Sequence, residues 1–193
     1  MRPAPARPPS TTFRWADTPA RYGLISRGFH WLMAALLIWQ FLIIGLWQGV
    51  GDTPWVRAVT ALGPFHVTIG LYTITLVTLR AAWAAAMRHR RPPGAPGWQG
   101  RAARLIHGSL YALMFTIPAL GLLRAYGSGK GQVQWDHQLI PATGIEIPWM
   151  ISLADAVHGE ASWLMAVLIL GHTGVAVIHG LKRDGVLRRM AGR

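Results

Sequence analysis

HGEASWLMAVLILGH, residues 158–172, begins and ends with a histidine and carries one charged residue, Glu160, between them. It lies inside a longer apolar run, residues 157–181. An α-helix rises about 1.5 Å per residue, so a spacing of fourteen residues is close to four turns and places both imidazoles on one helix face, about 21 Å apart along the axis. The stretch therefore predicts a membrane-spanning helix with ionisable rings at two depths.

Three further apolar stretches of similar length precede this one. The four together cover residues 29–47, 63–86, 105–126 and 157–181, and each is close to the roughly 20 residues that cross a bilayer core as a helix. The chain is 52% hydrophobic, yet it carries 19 Lys and Arg against 7 Asp and Glu. These features predict an all-α integral membrane protein, a bundle of four transmembrane helices.

The basic residues alternate between the gaps that separate the stretches. All but three lie in the N-terminal segment, in or beside the gap between the second and third stretches, or in the C-terminal segment; the exceptions are Arg57, Arg124 and Lys130. By the positive-inside rule, both termini are then cytoplasmic. A nucleic-acid-binding surface would not segregate its charges by alternate loops, so we expect a lipid bilayer as partner and no nucleic acid.

The spans form one predicted membrane domain, residues 23–186. Residues 1–22 are rich in Pro, Arg and Ala and have no apolar core of signal-peptide length, so we expect a disordered cytoplasmic arm there. Residues 187–193 are predicted to be a basic cytoplasmic tail. The segment 127–156 mixes apolar residues with prolines, which is typical of an amphipathic lid at the outer interface.

Cysteine is absent, which excludes disulfides, cysteine-ligated iron–sulfur clusters and thioether-attached haem within this chain. Metal chemistry must therefore rest on His, Met or carboxylates. A single buried histidine is more often structural than a ligand, but ionisable groups are costly in hydrocarbon and usually mark a pathway or a cofactor. Six histidines fall within the spans or at their ends, namely His30, His66, His107, His158, His172 and His179.

The predicted topology gives each of these histidines a depth. His30 begins the first span at the cytoplasmic side, whereas His66 begins the second at the periplasmic side. The fourth span enters from outside, so His158 is periplasmic and His172 lies about 21 Å deeper. The predicted pairs are His66 with His158 and His30 with His172. Two imidazoles that face each other across helices suit a b-type haem, whose iron can accept one ring nitrogen on each face.

Other residues near these pairs have two interpretations each. Gly70, one turn after His66, gives room for a flat macrocycle or for close helix packing. The same two interpretations hold for Gly121, Gly159 and Gly171. Arg80 follows His66 by fourteen residues, so it could pair with a haem propionate, or its stem could extend to the cytoplasmic interface.

The chain resembles the bacterial di-haem cytochrome b561 family, which includes superoxide-oxidising members. The resemblance covers about residues 22–190 and lies in four ordered motifs: Phe29-His30-Trp31; His66-Val67-Thr68-Ile69-Gly70 with Arg80; His107 with Leu110-Tyr111 and Ile117-Pro118-Ala119-Leu120-Gly121; and His158-Gly159-Glu160 with His172 and His179. It implies a cytochrome of the bacterial inner membrane with two haem b groups, held by His30 with His172 and by His66 with His158. Such a protein passes electrons between a quinone pool and a reaction at the periplasmic face.

The resemblance also implies roles for the remaining span histidines. His107 and His179 match the family's other helix-end histidines, so they are candidates for quinone contact or proton exchange, or for hydrogen bonds that orient a ligand. Ubiquinone is the expected electron acceptor or donor. An iron with two imidazoles has no open position, so the haems would relay electrons and no side chain is predicted to be catalytic.

The periplasmic reactant is left open by the sequence. Arg124, Lys130 and His137 could form a positive pocket for superoxide, which would make the chain a superoxide oxidase-like oxidoreductase. The outer loops as a whole are net acidic, however. This face is therefore no better suited to superoxide than to a protein partner, and the alternative is a membrane-anchor electron-transfer subunit for a periplasmic redox protein such as a cytochrome c, a hydrogenase or another dehydrogenase. A haem-free, histidine-lined channel is a third interpretation, and the paired depths argue against it.

Overall fold

A computed structural model of the chain describes residues 15–134 and 136–191. The elements follow in the order α1 (Leu24–Gly49), α2 (Pro54–Thr60), α3 (His66–Ala86), α4 (Gly97–Gly127), β1 (Gln132–Gln134), β2 (His137–Ile140), α5 (Pro148–Lys182) and α6 (Val186–Ala191). Residues 1–14 of the predicted arm, Trp135 of the predicted lid and residues 192–193 of the tail lie outside the described ranges.

Four of these helices, α1, α3, α4 and α5, are long and apolar enough to cross a membrane. Large aliphatic side chains such as Ile38, Leu170 and Leu181 lie exposed on their outer surfaces, as expected where hydrocarbon rather than water surrounds the protein. Backbone groups in such an environment must be satisfied within the helix itself, which is why the spans are helical throughout. The predicted four-helix membrane bundle is confirmed.

Two of the spans begin about two turns before their apolar runs. α4 begins at Gly97 rather than near residue 105, and α5 begins at Pro148 rather than near residue 157. The extra turns contain Arg101, Arg104 and Asp155, so an apolar run detects only the part of each helix that faces hydrocarbon. The predicted lid, residues 127–156, was therefore wrong in its last third, because Trp149 and Met150 belong to the first turn of α5.

The four long helices pack in sequence, α1 on α3, α3 on α4 and α4 on α5. α5 runs close to α4 along much of its length, whereas its backbone approaches α1 and α3 at few points, if any. One apolar core joins the helices, formed by Met33, Leu37, Val77, Leu110, Met114, Ile117 and Met165. α5 thus faces α1 and α3 across a wider space than that separating the packed neighbours.

Both ends of the described chain meet at one end of the bundle, which we call the inner end. The backbone N–H of Tyr22 donates to the carbonyl of Arg189 (3.3 Å), and Nε of Arg27 donates to the carbonyl of Met190 (3.1 Å). The described part of the predicted tail is thus the short helix α6, held against the start of α1. The opposite end, where α3 and α5 begin, is called the outer end.

A buried carboxylate, Asp17, holds the chain that precedes α1 to the inner end. It accepts from the backbone N–H of Gly23 (2.8 Å), from Oγ of Ser26 (2.9 Å) and from Nε of Arg91 (3.2 Å). Ser26 in turn accepts from the indole N–H of Trp83 in α3 (2.9 Å). Residues 15–22, the described part of the predicted arm, are therefore tied to α1 and to the segment that follows α3. The remaining domain boundaries stay predictions.

The segment between α4 and α5 is a loop at the outer end whose two ends lie next to each other. The backbone N–H of Ile147 donates to the carbonyl of Gly127 (2.8 Å), so residues 128–146 leave and return at nearly the same point. Within them β1 and β2 form an antiparallel hairpin, which the sequence did not predict. Nε2 of Gln134 donates to Oγ1 of buried Thr68 (2.8 Å), which fixes the hairpin over the start of α3.

We predict that Asp17→Ala lowers the free energy of unfolding by about 3 kcal/mol, because it leaves buried donors and the partly buried Arg91 without an acceptor. Asp52→Ala is the matched control, since its ion pair with Arg57 is solvent-exposed and such pairs contribute little. Denaturation of the purified protein in detergent measures both. Equal stability of the two variants would contradict the role assigned to Asp17.

Candidate functional site

Two histidines of different helices face each other near the inner end. The ring centroids of His30 in α1 and His172 in α5 are 6.2 Å apart, with the ring planes at 72°. A third histidine, His107 of α4, lies edge-on to His172 with a centroid distance of 5.2 Å. The structure thus brings His107 to the inner pair, a proximity that its sequence position alone did not reveal.

A second pair lies near the outer end. His66, the first residue of α3, has its ring centroid 5.8 Å from that of His158 in α5, and the ring planes are tilted by 57°. Because α5 is one continuous helix through residues 158–172, the two pairs lie about 21 Å apart along its axis. The bundle therefore holds two stacked levels of facing imidazoles.

The spacing of these rings suits one metal ion between each pair. An imidazole nitrogen binds a first-row metal at about 2 Å, so the ring centres of two opposed ligands lie roughly 6 Å apart. The measured separations are 6.2 and 5.8 Å. Nδ1 of His158 is also buried without a hydrogen-bond partner in the described part of the protein. The ring separations fit histidines that hold a haem in the space that α5 leaves toward α1 and α3.

No group of three or more His, Asp or Glu side chains is arranged to hold a bare metal ion anywhere in residues 15–134 and 136–191. The histidines of the bundle meet as opposed rings instead. Opposed single ligands are what a porphyrin needs, since its own nitrogens fill the other positions around the iron. The donor set therefore fits haem better than a mononuclear metal site built from protein ligands alone.

The partly buried guanidinium of Arg80 lies beside the inner histidine pair. Nη2 of Arg80 lies 3.5 Å from Nδ1 of His30, its Nη1 lies 3.8 Å from Sδ of Met33, and its guanidinium carbon lies 5.3 Å from the centroid of the Tyr111 ring. None of the ion pairs in the described ranges includes Arg80. Its positive charge is thus available to an anionic group of a cofactor, and the propionate contact stays a prediction.

The glycines differ in what surrounds them. A Cβ added to Gly121 would lie 3.6 Å from Cε1 of His158, so α4 passes directly beside that ring. A Cβ on Gly70 would meet only Pro118 of α4, at 3.8 Å, which is the position of a helix-packing contact. Gly159 and Gly171 would meet nothing within 4 Å. The cofactor role predicted for Gly70 is not tested by these distances.

His179 lies away from the inner pair, two turns further along α5 than His172. Its Nδ1 is 2.5 Å from Oδ2 of Asp184, in the connection between α5 and α6. The hydrogen bond from His179, together with one from the backbone N–H of Val186, holds the pKa of Asp184 below its ordinary value. The structure therefore separates His179 from His107, although the sequence analysis grouped them.

The three cationic candidates at the outer end do not form a cluster through any contact seen in the described ranges. Arg124 is paired with Asp155, with Nε 2.5 Å from Oδ1, while Lys130 and His137 are exposed on the segment that carries the hairpin. The remaining outer arginine, Arg57, is paired with Asp52 and lowers the pKa of that carboxyl by hydrogen bonding. Both outer guanidinium groups are thus neutralised by an adjacent aspartate.

One polar residue at the outer pair escaped the sequence analysis. Gln40, in the middle of α1, places Nε2 2.5 Å from Nδ1 of His66, and its Oε1 is buried without a hydrogen-bond partner among the described residues. A signal was present in the sequence, because Gln40 and His30 are the polar side chains of the stretch 29–47 if tryptophan is set aside. Only the fold shows which histidine Gln40 contacts.

Four membrane-spanning helices with facing histidines at two levels define a membrane cytochrome of the b type. The chain belongs to the prokaryotic cytochrome b561 family, whose sequence pattern matches residues 21–193. It is 30% identical over 186 residues to cytochrome b561 homolog 2 of Escherichia coli (strain K12), which covers 93% of this chain and 95% of that protein. It is 28% identical over 136 residues to cytochrome b561 homolog 1 of the same strain, covering 66% and 73%.

Family membership confirms several expectations at once. The protein is a multi-pass protein of the bacterial inner membrane, it binds haem b, and it transfers electrons. The resemblance drawn from the ordered histidine motifs was therefore correct.

We predict that Gly121→Leu reduces the haem content per chain, because a branched side chain at this position would displace the His158 ring. Gly121→Ala should retain wild-type content, since its Cβ would make an ordinary contact of 3.6 Å. Gly45→Leu is the control, as a side chain there meets nothing within 4 Å. Pyridine haemochrome analysis gives the haem-to-protein ratio. Normal haem content in Gly121→Leu would show that the ring can be displaced without loss of cofactor.

Proposed function

We propose that this chain holds two haem b groups in series and moves electrons between ubiquinone and a reactant at the outer end of the bundle. The observation that carries the proposal is the pair of histidine levels on α5, with ring centroid distances of 6.2 and 5.8 Å to their partners on α1 and α3. Two sites of this kind, about 21 Å apart along the helix, would let an electron cross the membrane in several short transfers instead of one long one.

The proposed ligands are His30 with His172 at the inner level and His66 with His158 at the outer level. When bound, each haem supplies a one-electron ferric–ferrous couple. With a histidine nitrogen from each of two helices as ligands, the bound iron would have no position open to oxygen or other small ligands. The surrounding apolar core, with Met33, Ile117 and Met165 buried, keeps water from the space between the helices.

Arg80 is proposed to anchor the inner haem through a propionate. Its guanidinium lies between His30 and Tyr111, and a charge-assisted hydrogen bond to a carboxylate is among the strong polar contacts available to it. The half-buried position strengthens such a contact, since solvent screens it less than at the surface. Arg80 thereby provides a positive charge for a cofactor that would otherwise bring uncompensated carboxylates into the bundle.

We place quinone access at an apolar groove of about 520 Å³ between α3 and α4. Its lining comprises Val77, Thr78, Ala81, Tyr111, Ala112, Phe115 and Thr116. Tyr111 connects this groove to the inner level, because Arg80 contacts both the Tyr111 ring and His30. His107, one turn before Tyr111 and beside His172, is the candidate for proton exchange with the quinone. His179 lies further away, at the α5–α6 corner.

The ion pairs at the outer end favour a redox protein over superoxide as the outer reactant. Superoxide is an anion and is attracted by an unpaired positive surface, but Arg57 and Arg124 are each paired with an aspartate. A net acidic outer surface with neutralised arginines suits a partner whose docking face is basic. The second candidate function is therefore the superoxide oxidase-like reaction, which would use the exposed Lys130.

Ligand replacement tests the two haem sites separately. His158→Ala and His172→Ala should each lower the haem content from two to one per chain, because each removes one of the two histidines that would hold the haem at its level. His137→Ala, on the exposed strand β2, should retain both. Pyridine haemochrome analysis together with the visible spectrum of the reduced protein gives the number of haems per chain. Retention of both haems in His158→Ala would overturn the ligand assignment.

The outer reactant can be identified with Asp155→Asn, which frees Arg124 from its ion pair. If the reactant is a basic redox protein, we expect the variant to accept electrons from it several-fold more slowly at low salt than the wild type, because an acidic docking charge is lost. Stopped-flow reduction of the haems by a basic c-type cytochrome and by pulsed superoxide supplies the comparison. Rapid reduction of the wild type by superoxide, accelerated further in Asp155→Asn, would establish the second candidate instead.

A further inference from the structure

Gln40 contacts the outer histidine pair from α1, which contributes no histidine to that level. It lies on α1, ten residues beyond His30, and its side-chain amide meets Nδ1 of His66 at 2.5 Å. The other end of the amide is buried and has no hydrogen-bond partner in the described part of the protein. A polar group in this position is costly in the interior of a membrane protein unless its hydrogen bonds are used.

The chemistry of ligation decides which way this amide faces the ring. A neutral imidazole carries one proton, so a histidine that binds iron through Nε2 bears its hydrogen on Nδ1. That N–H needs an acceptor, and metal-bound histidines almost always have one. The amide group of Gln40 within reach of Nδ1 must then be the oxygen Oε1, because the NH2 group is a donor and would require a proton-free Nδ1.

The opposite orientation of the amide is incompatible with ligation through Nε2. If the NH2 group donated to Nδ1, the ring would hold its proton on Nε2 and that nitrogen would have no lone pair for iron. Either orientation leaves one end of the amide unsatisfied, so the amide alone gives no preference. The tautomer of His66 decides between the two orientations of the amide. Ligation of iron through Nε2 requires the orientation in which Oε1 of Gln40 faces Nδ1 of His66.

We propose that Gln40 is a positioning residue that accepts the Nδ1–H of His66, fixes the tautomer and the plane of that ring, and lowers the reduction potential of the outer haem. This inference rests on the proposed ligand role of His66. A hydrogen bond accepted from Nδ1–H increases the electron density at Nε2, which stabilises ferric relative to ferrous iron. Nδ1 of His158 has no hydrogen-bond partner among the described residues, so the orienting role at the outer pair is assigned to Gln40.

The test uses two substitutions of similar length. Gln40→Met removes the strong acceptor, so the outer haem should be reduced more easily, with about a tenfold change in its ferric–ferrous equilibrium, which is about 59 mV for one electron. Gln40→Glu retains an acceptor and should give the outer haem a potential that falls as pH rises and the carboxyl ionises. Gln48→Leu, on the exposed part of α1, is the matched control and should change neither haem.

Spectroelectrochemical titration of the purified di-haem protein across pH gives both potentials, and the inner haem serves as an internal reference. A role limited to packing would lower haem retention or stability in both variants while leaving the potentials of the retained haems unchanged, and that result would overturn the inference. His66→Ala separates it from the proposed function. If that variant keeps both haems, the ligand assignment fails; if it loses one while Gln40→Met and Gln40→Glu leave the potentials unaltered, only the role of Gln40 fails.

Discussion

The physical constraint on which this structure depends is the rigidity of a helix that crosses hydrocarbon. Inside a bilayer a helix must satisfy its own backbone groups, so α5 runs without interruption from Pro148 to Lys182. His158 and His172 are consequently held on one face of a straight element, about 21 Å apart. Two other helices bring a histidine to these rings: α3 places His66 beside His158 at the outer level, and α1 places His30 beside His172 at the inner level.

The packing order explains how a bundle of ordinary helices leaves room for flat cofactors. α5 packs along α4 and stays further from α1 and α3, and the proposed ligands lie on the two sides of that wider space. Gly121 lets α4 approach the His158 ring without a side chain between them. Between the two histidine levels, the core formed by residues such as Leu37, Met114 and Met165 closes the bundle. Apolar packing and polar pairs therefore alternate along the membrane normal.

The two levels differ in the groups that surround their histidines. The inner level has a cation, Arg80, against His30 and a third histidine against His172, and it connects through Tyr111 to a groove between α3 and α4. The outer level has the neutral amide of Gln40 against His66 and lies beneath a hairpin fixed to α3. The two ends of the bundle are thus chemically distinct, which is what the proposed relay between a quinone and a water-soluble reactant would require.

The sequence by itself determined the membrane class, the four spans and the depth of each histidine, because hydrophobicity and the positions of basic residues are properties of the chain read along one axis. The predicted depths alone were enough to match His66 with His158 and His30 with His172. Only the tertiary structure decided which rings are lateral neighbours, since rotation about a helix axis and the choice of packing partner depend on side chains from other helices. For this reason Gln40 and the proximity of His107 to His172 were missed, as were the early starts of α4 and α5, whose first turns lie outside the apolar runs.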